Sequence, residues 1–200
     1  MNMSERYWES FYSTGESRWS GKPNPSLVDE VADLEPGTAL DLGCGQGGDA
    51  IWLASRGWAV TAADISSAAL AIAARNAAAA GLADAITWEH RDLAVSLPGG
   101  SFDLVAVAYL HSPVALPRTR ILRASAHAVA PGGTLVIIGH SPSASHPHAD
   151  LPSAGDVVED LALPADRWRL RTSEHRDVEH AFADETPTSR TDSVVRLQRV

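Results

Sequence analysis

Two hundred residues with a formal charge of −9 and 44% apolar content fit one domain with a sizeable core. Lys22 is the sole lysine and no polybasic run exists to follow a phosphate backbone, so a nucleic-acid substrate is disfavoured. No stretch of roughly eighteen apolar residues is present to span a bilayer. The first residues lack the apolar core of a secretion signal, and Cys44, the only cysteine, rules out an internal disulfide, so a cytoplasmic address is expected. Arginine used in place of lysine, with abundant alanine, suggests a GC-rich bacterial genome.

In chain order, Tyr7, Trp8, Phe11 and Tyr12 recur at helical spacing and predict an amphipathic cover. A turn follows from Trp19 to Pro25. Thr38 to Leu42 predicts a first strand, Asp49 to Arg56 a helix closed by Gly57, and Trp58 to Ala63 a second strand. Ser66 or Ser67 caps an alanine-rich helix over Ala68 to Ala80 that stops at Gly81. Strands are predicted at Ile86 to His90, Phe102 to Leu110 and Gly133 to Gly139, with a helix from Leu116 to Val129 between the last two. His140 to Leu151 reads as a loop, Ser153 to Leu161 as a short helix, and Arg167 to Ala181 with Ser193 to Val200 as a hairpin. Strands alternating with helices predict a parallel sheet covered on both faces.

The segment from Ala39 to Gly48 joins a buried strand to a glycine turn that opens a helix, and the next strand ends in Asp64. Such a unit brings backbone against a nucleoside-bearing cofactor while the carboxylate receives ribose hydroxyls. Gly43, Gly45 and Gly48 also satisfy the dinucleotide fingerprint, which keeps a nicotinamide oxidoreductase open. Asp41 argues against it, because a carboxylate two residues before the first glycine would repel a pyrophosphate. It suits a ligand that is cationic there, an ammonium or a sulfonium.

The run Asp41-Leu-Gly43-Cys-Gly45-x-Gly47 resembles the first motif of class I S-adenosylmethionine-dependent methyltransferases. Asp64, the segment Arg91-Asp92-Leu93, the strand from Phe102 to Val107 and the turn Ala130-Pro131-Gly132-Gly133 follow in that family's order. The resemblance implies a Rossmann-like, doubly wound α/β fold with seven strands, mostly parallel, ending in an antiparallel strand. It also implies S-adenosyl-L-methionine as cofactor. Asp41 and the loop N–H groups of Gly43, Cys44, Gly45 and Gly47 would meet its amino-acid part, Asp64 its ribose and Asp92 its adenine amino group. Ile65 and Leu93 would sandwich the base. Cys44 then reads as a small loop residue rather than a nucleophile. In size and in its tryptophan-bearing entry, the chain is similar to small methyltransferases of the thiopurine and tellurite-resistance type. Residues 1–28 are accordingly expected to form a helical lid, with Trp19 over the cofactor, on a domain covering 29–200.

An open α/β sheet works above the carboxyl ends of its strands, which points to Tyr109, His111 and His140 as candidate catalytic residues. An imidazole at His111 would serve either as a base or as a loop hydrogen-bonding group. The Asn- or Asp-Pro-Pro-aromatic motif of many amine methyltransferases is replaced by Ala108-Tyr109-Leu110-His111. His140, His146, His148 and Asp150 are metal-ligating types without an ordered spacing, and no metal is expected. The expected partner is a small-molecule acceptor, with a soft nucleophile (a thiol, selenium or tellurium species) favoured because it needs little help from a base. O- or N-methylation of a small molecule is the alternative, and a cofactor-binding module without an acceptor is a third reading.

Overall fold

The computed structural model describes residues 1–13, 21–141, 151–180 and 188–200. Helices α1 (Met3–Tyr12) and α2 (Pro25–Val31) lead into β1 (Thr38–Leu42), α3 (Gly48–Ser55), β2 (Ala59–Asp64), α4 (Ser67–Ala79) and β3 (Ile86–His90). Then come β4 (Phe102–Ala108), α5 (Arg118–His127), β5 (Val129–His140), α6 (Ala154–Leu161), β6 (Trp168–His180) and β7 (Thr188–Arg199). The seven strands form one sheet in the order β3-β2-β1-β4-β5-β7-β6. The first five are parallel, and β7 is inserted antiparallel to both β5 and β6. This is the doubly wound arrangement expected. The chain reverses direction across the sheet between β1 and β4, which opens a crevice at their carboxyl ends.

Both faces of the sheet are covered, so its central strands are apolar along their length rather than alternating. Leu40, Leu42, Val105, Val107, Leu135 and Ile137 face α5 and α6. Ala39, Leu104, Ala106, Val136 and Ile138 face the other way, with Leu27, Leu53 and Trp58. Truncating one of these leucines to alanine costs about 2–5 kcal/mol in such a layer.

Most boundaries agree within two residues; β7 starts earlier than expected, at Thr188 rather than Ser193, because its first residues pair with the end of β6. β4 stops at Ala108 rather than Leu110 because Tyr109 turns to φ 50°, which ends the ladder. β5 starts early, at Val129, because Val129 pairs with Phe102 ahead of a register shift. Gly133 permits that shift: a Cβ there would lie 2.9 Å from the Asp103 carbonyl oxygen and 3.0 Å from that of Phe102. The helix α2 is an addition to the expected elements. Asn24 caps it, receiving the Ser26 N–H, and Pro25 occupies its first position. The expected lid boundary at residue 28 falls inside this helix, whose Leu27 and Val31 belong to the core.

Candidate functional site

Three aspartates gather around the glycine turn at the crevice. Asp41, 2% exposed on β1, lies between Ala62 of β2 and Ala106 of β4. Its carboxylate receives the Ala50 N–H, while its Oδ2 is buried with no hydrogen-bond partner among the described residues. Burial pushes this carboxyl well above the usual range, and the neighbouring Asp49 and Asp64 push it further. Asp49, in the first turn of α3, accepts the Asn24 N–H at 2.6 Å and is pushed up to about 6 by burial. Asp64 is raised for the same reason, although the Ser66 and Gly45 N–H groups, each at 2.9 Å, favour its charged form. Arg190 favours the charged form of Asp49 and His90 that of Asp64, but burial outweighs both, so the three carboxyls form a desolvated acidic cluster.

The turn is shaped for close approach. A Cβ on Gly47 (φ 84°) would sit 2.9 Å from both the Ala73 Cβ and the Trp88 ring, so the small residues of α4 let that helix lie directly on the loop. The N–H groups of Gly43 and Cys44 donate to the Ala63 carbonyl, Gly45 to Asp64 and Gly47 to the Cys44 carbonyl. All four N–H groups thus brace the turn within the chain, which presents bare backbone beside acidic side chains. The Cys44 thiol is pushed well up by burial and by the nearby aspartates, which leaves it un-ionised.

Helix α1 lies across this region. Glu9 receives the Ser66 and Ser67 hydroxyls and the Ala68 N–H at the start of α4. Burial works against the charge of Glu9, but those hydrogen bonds outweigh it and hold the carboxyl below its ordinary value. Asn2 donates to Asp92 at 2.6 Å, whose other oxygen receives the Ala94 N–H. The Tyr12 hydroxyl stands 3.2 Å from where a Cβ of Gly45 would be. Leu93 is buried, Ile65 is half-buried, and the Ile65 carbonyl is held by His90.

The face above β4 and β5 is built from a stacked column. The Arg190 guanidinium lies 4.5 Å over the Tyr109 ring, Tyr109 stacks on His140 at 4.5 Å, and His140 on His111 at 5.6 Å. The Tyr109 hydroxyl donates to Asp192, which is fully buried and also accepts from Ser26 and Arg190. Burial raises the Tyr109 phenol above its ordinary value. His111 Nε2 accepts the His140 N–H at 3.3 Å, and burial, with Arg118 close by, lowers its pKa to about 4. At neutral pH His111 is therefore a weak base and Tyr109 keeps its own proton. Of the expected residues, Tyr109, His111 and His140 therefore come together, whereas Trp19, His146, His148 and Asp150 lie outside the described residues. Asp49, Arg190 and Asp192 were not anticipated. Arg190 and Asp192 lie far along the chain, but Asp49 sits one residue past the glycine run and could have been read there.

Residues 39–133 match the family described as "Methyltransferase domain". The chain is 30% identical over 182 residues to "Methyltransferase GfsG" of Streptomyces halstedii, covering 90% of this chain and 61% of that protein, so it spans less than two thirds of that relative. A solved structure described as "Conversion of a Disulfide Bond into a Thioacetal Group during Echinomycin Biosynthesis" superposes with a TM-score of 0.78 at 26% identity, covering 98% of this chain and 93% of that one. The N-methyltransferase NodS of Bradyrhizobium japonicum, solved with S-adenosyl-L-homocysteine, has the same fold, with a TM-score of 0.70 at 18% identity over 99% of both chains. The fold, the glycine turn with its aspartates and these matches together make the chain similar to the class I S-adenosylmethionine-dependent methyltransferases, with a methyltransferase domain matched over residues 39–133.

Proposed function

We propose that the protein transfers a methyl group from S-adenosyl-L-methionine to a soft nucleophile on a small molecule, a thiol or a selenium or tellurium species. The observation that carries the cofactor side is the buried Asp41 Oδ2, without a hydrogen-bond partner among the described residues, in a cluster with Asp49 and Asp64. An ammonium supplies the missing hydrogen bond and charge, and a sulfonium is favoured by the same negative potential. A pyrophosphate would meet the same aspartates with repulsion, which weighs against a nicotinamide cofactor. The residues present thus fit the cofactor: Asp41 at its ammonium, Asp64 at its ribose, Asp92 at its adenine, with Ile65 and Leu93 on the base. The bound cofactor supplies an electrophilic methyl carbon.

What this chain contributes is placement and shielding. Tyr109, His111 and His140 form the wall against which an acceptor would lie in line with the methyl carbon. An alcohol or phenol needs a base, and of the two groups best placed His111 is a weak base and Tyr109 keeps its own proton near pH 7. A thiol with a pKa near 8.5 already exists partly as thiolate and loses its proton to solvent. The structure named for the conversion of a disulfide into a thioacetal concerns chemistry at sulfur, which supports the same choice. The test is turnover of thiophenol beside phenol, read by mass spectrometry. Methylation of the thiol at least a hundredfold faster than the phenol supports the proposal, and equal rates refute the soft-nucleophile part of it.

A further inference from the structure

Arg118 opens α5 and is half-buried, yet no carboxylate pairs with it among the described residues, and Asp160 influences it only from farther away. Its Nε donates to the Leu110 carbonyl at 3.2 Å. The Leu110 side chain in turn reaches the glycine turn, 3.0 Å from where a Cβ of Gly43 would be. At the other end, Arg118 Nη2 and His111 Nε2 stand 3.5 Å and 3.1 Å from where a Cβ of Gly139 would be. The missing side chain at Gly139 is what allows a guanidinium and an imidazole to meet above the ends of β4 and β5.

Among the described residues only Asp160 offsets this charge, and burial outweighs it. The first turn of α5 carries no acidic residue and no side-chain cap, and the positive end of a helix disfavours a cation placed on it. The other arginines of this helix are tied off, Arg120 to the Ala94 carbonyl and Arg123 to that of Asp160. A partly desolvated guanidinium bonded through Nε alone among the described residues is an incomplete arrangement, and a carboxylate completes it with parallel N–H···O bonds.

We propose that Arg118, seated with His111 against Gly139, binds a carboxylate of the methyl acceptor, so that the preferred acceptor is a thiol acid rather than a neutral thiol. This rests on the reading of that face as the acceptor site. The experiment is calorimetric titration of the S-adenosylhomocysteine-loaded protein with 2-mercaptobenzoate and with its methyl ester. The acid is expected to bind about tenfold tighter or more, the scale of a charge-assisted hydrogen bond. Arg118→Gln brings the acid-to-ester ratio near one, and Arg118→Lys retains part of it. Equal affinities in the parent protein, a preference that survives Arg118→Gln, or failure of the acid to bind at millimolar concentration overturns the proposal. Should the glutamine variant not fold, the acid-to-ester ratio of the parent protein decides the matter. The two readings fail separately: without S-adenosylhomocysteine binding the cofactor assignment falls, and the same titration on the ligand-free protein still tests Arg118.

Discussion

Asp41→Asn separates the binding role of this carboxylate from its effect on stability. The aspartate is almost fully buried, has one oxygen without a partner, and shares its surroundings with Asp49 and Asp64. An asparagine of the same shape still receives the Ala50 N–H and turns an N–H donor toward the neighbouring carboxylates. A buried group left unsatisfied costs about 1–3 kcal/mol, so the ligand-free variant is expected to be more stable at pH 7, by several degrees in melting temperature. The pH dependence follows from the direction of the shifts. A carboxyl raised on folding keeps its proton in the folded state after the unfolded chain has lost it, so stability falls as pH rises between the two values. For Asp49, with a folded value near 6 against 3.8, that loss is on the order of 3 kcal/mol and is complete above about pH 6. Asp41 adds a loss of the same sign, which Asp41→Asn removes. S-adenosylhomocysteine affinity, by contrast, is expected to fall about thirtyfold or more, since removing one partner of a buried charged pair costs 2–5 kcal/mol or more. Thermal melts from pH 4 to 8 and calorimetry measure the two effects. A variant that is less stable at pH 7 and binds as tightly as the parent would refute the reasoning.

Further outcomes are expected at neighbouring positions. Asp64→Ala should weaken S-adenosylhomocysteine binding at least tenfold with a folded circular-dichroism spectrum, and unchanged affinity would remove the ribose role. Gly47→Ala forces a methyl group onto Ala73 and Trp88 at φ 84°, which adds about 1–2 kcal/mol of left-handed strain to the overlap; the melting temperature should drop by several degrees or more. Tyr109→Phe removes the hydroxyl between Arg190 and the buried Asp192 and should lower stability by about 1–3 kcal/mol in urea unfolding. His111→Gln should change kcat for a thiol acceptor less than tenfold, with no new ionisation between pH 6 and 8; loss of activity with loss of a limb in that window would restore His111 as a base.

The central motif was legible because it is local. Asp41, the glycines and Asp64 fall within one strand-turn-helix-strand unit, whose hydrophobic pattern and turn residues are adjacent in the chain. The alanines of α4 likewise announced both a helix and its close packing. The capping pair Asn24-Pro25 was missed, because the same residues also suit the turn that was expected there. The acceptor face was legible only in part. Tyr109, His111 and His140 follow from the rule that sites lie at strand ends, but their states do not. His111 loses its basicity to burial, and Tyr109 is pinned by Asp192 from a strand 83 residues away. The charge left open at Arg118 depends on which carboxylates fold near it, and periodicity carries no trace of that.

The most direct measurement is calorimetric titration of the protein with S-adenosylhomocysteine, with NADH as the control. Micromolar binding of the former and none of the latter is the expected result. Binding of NADH alone would mean that the three aspartates tolerate a pyrophosphate, and the account of the turn as a seat for a cation would be contradicted.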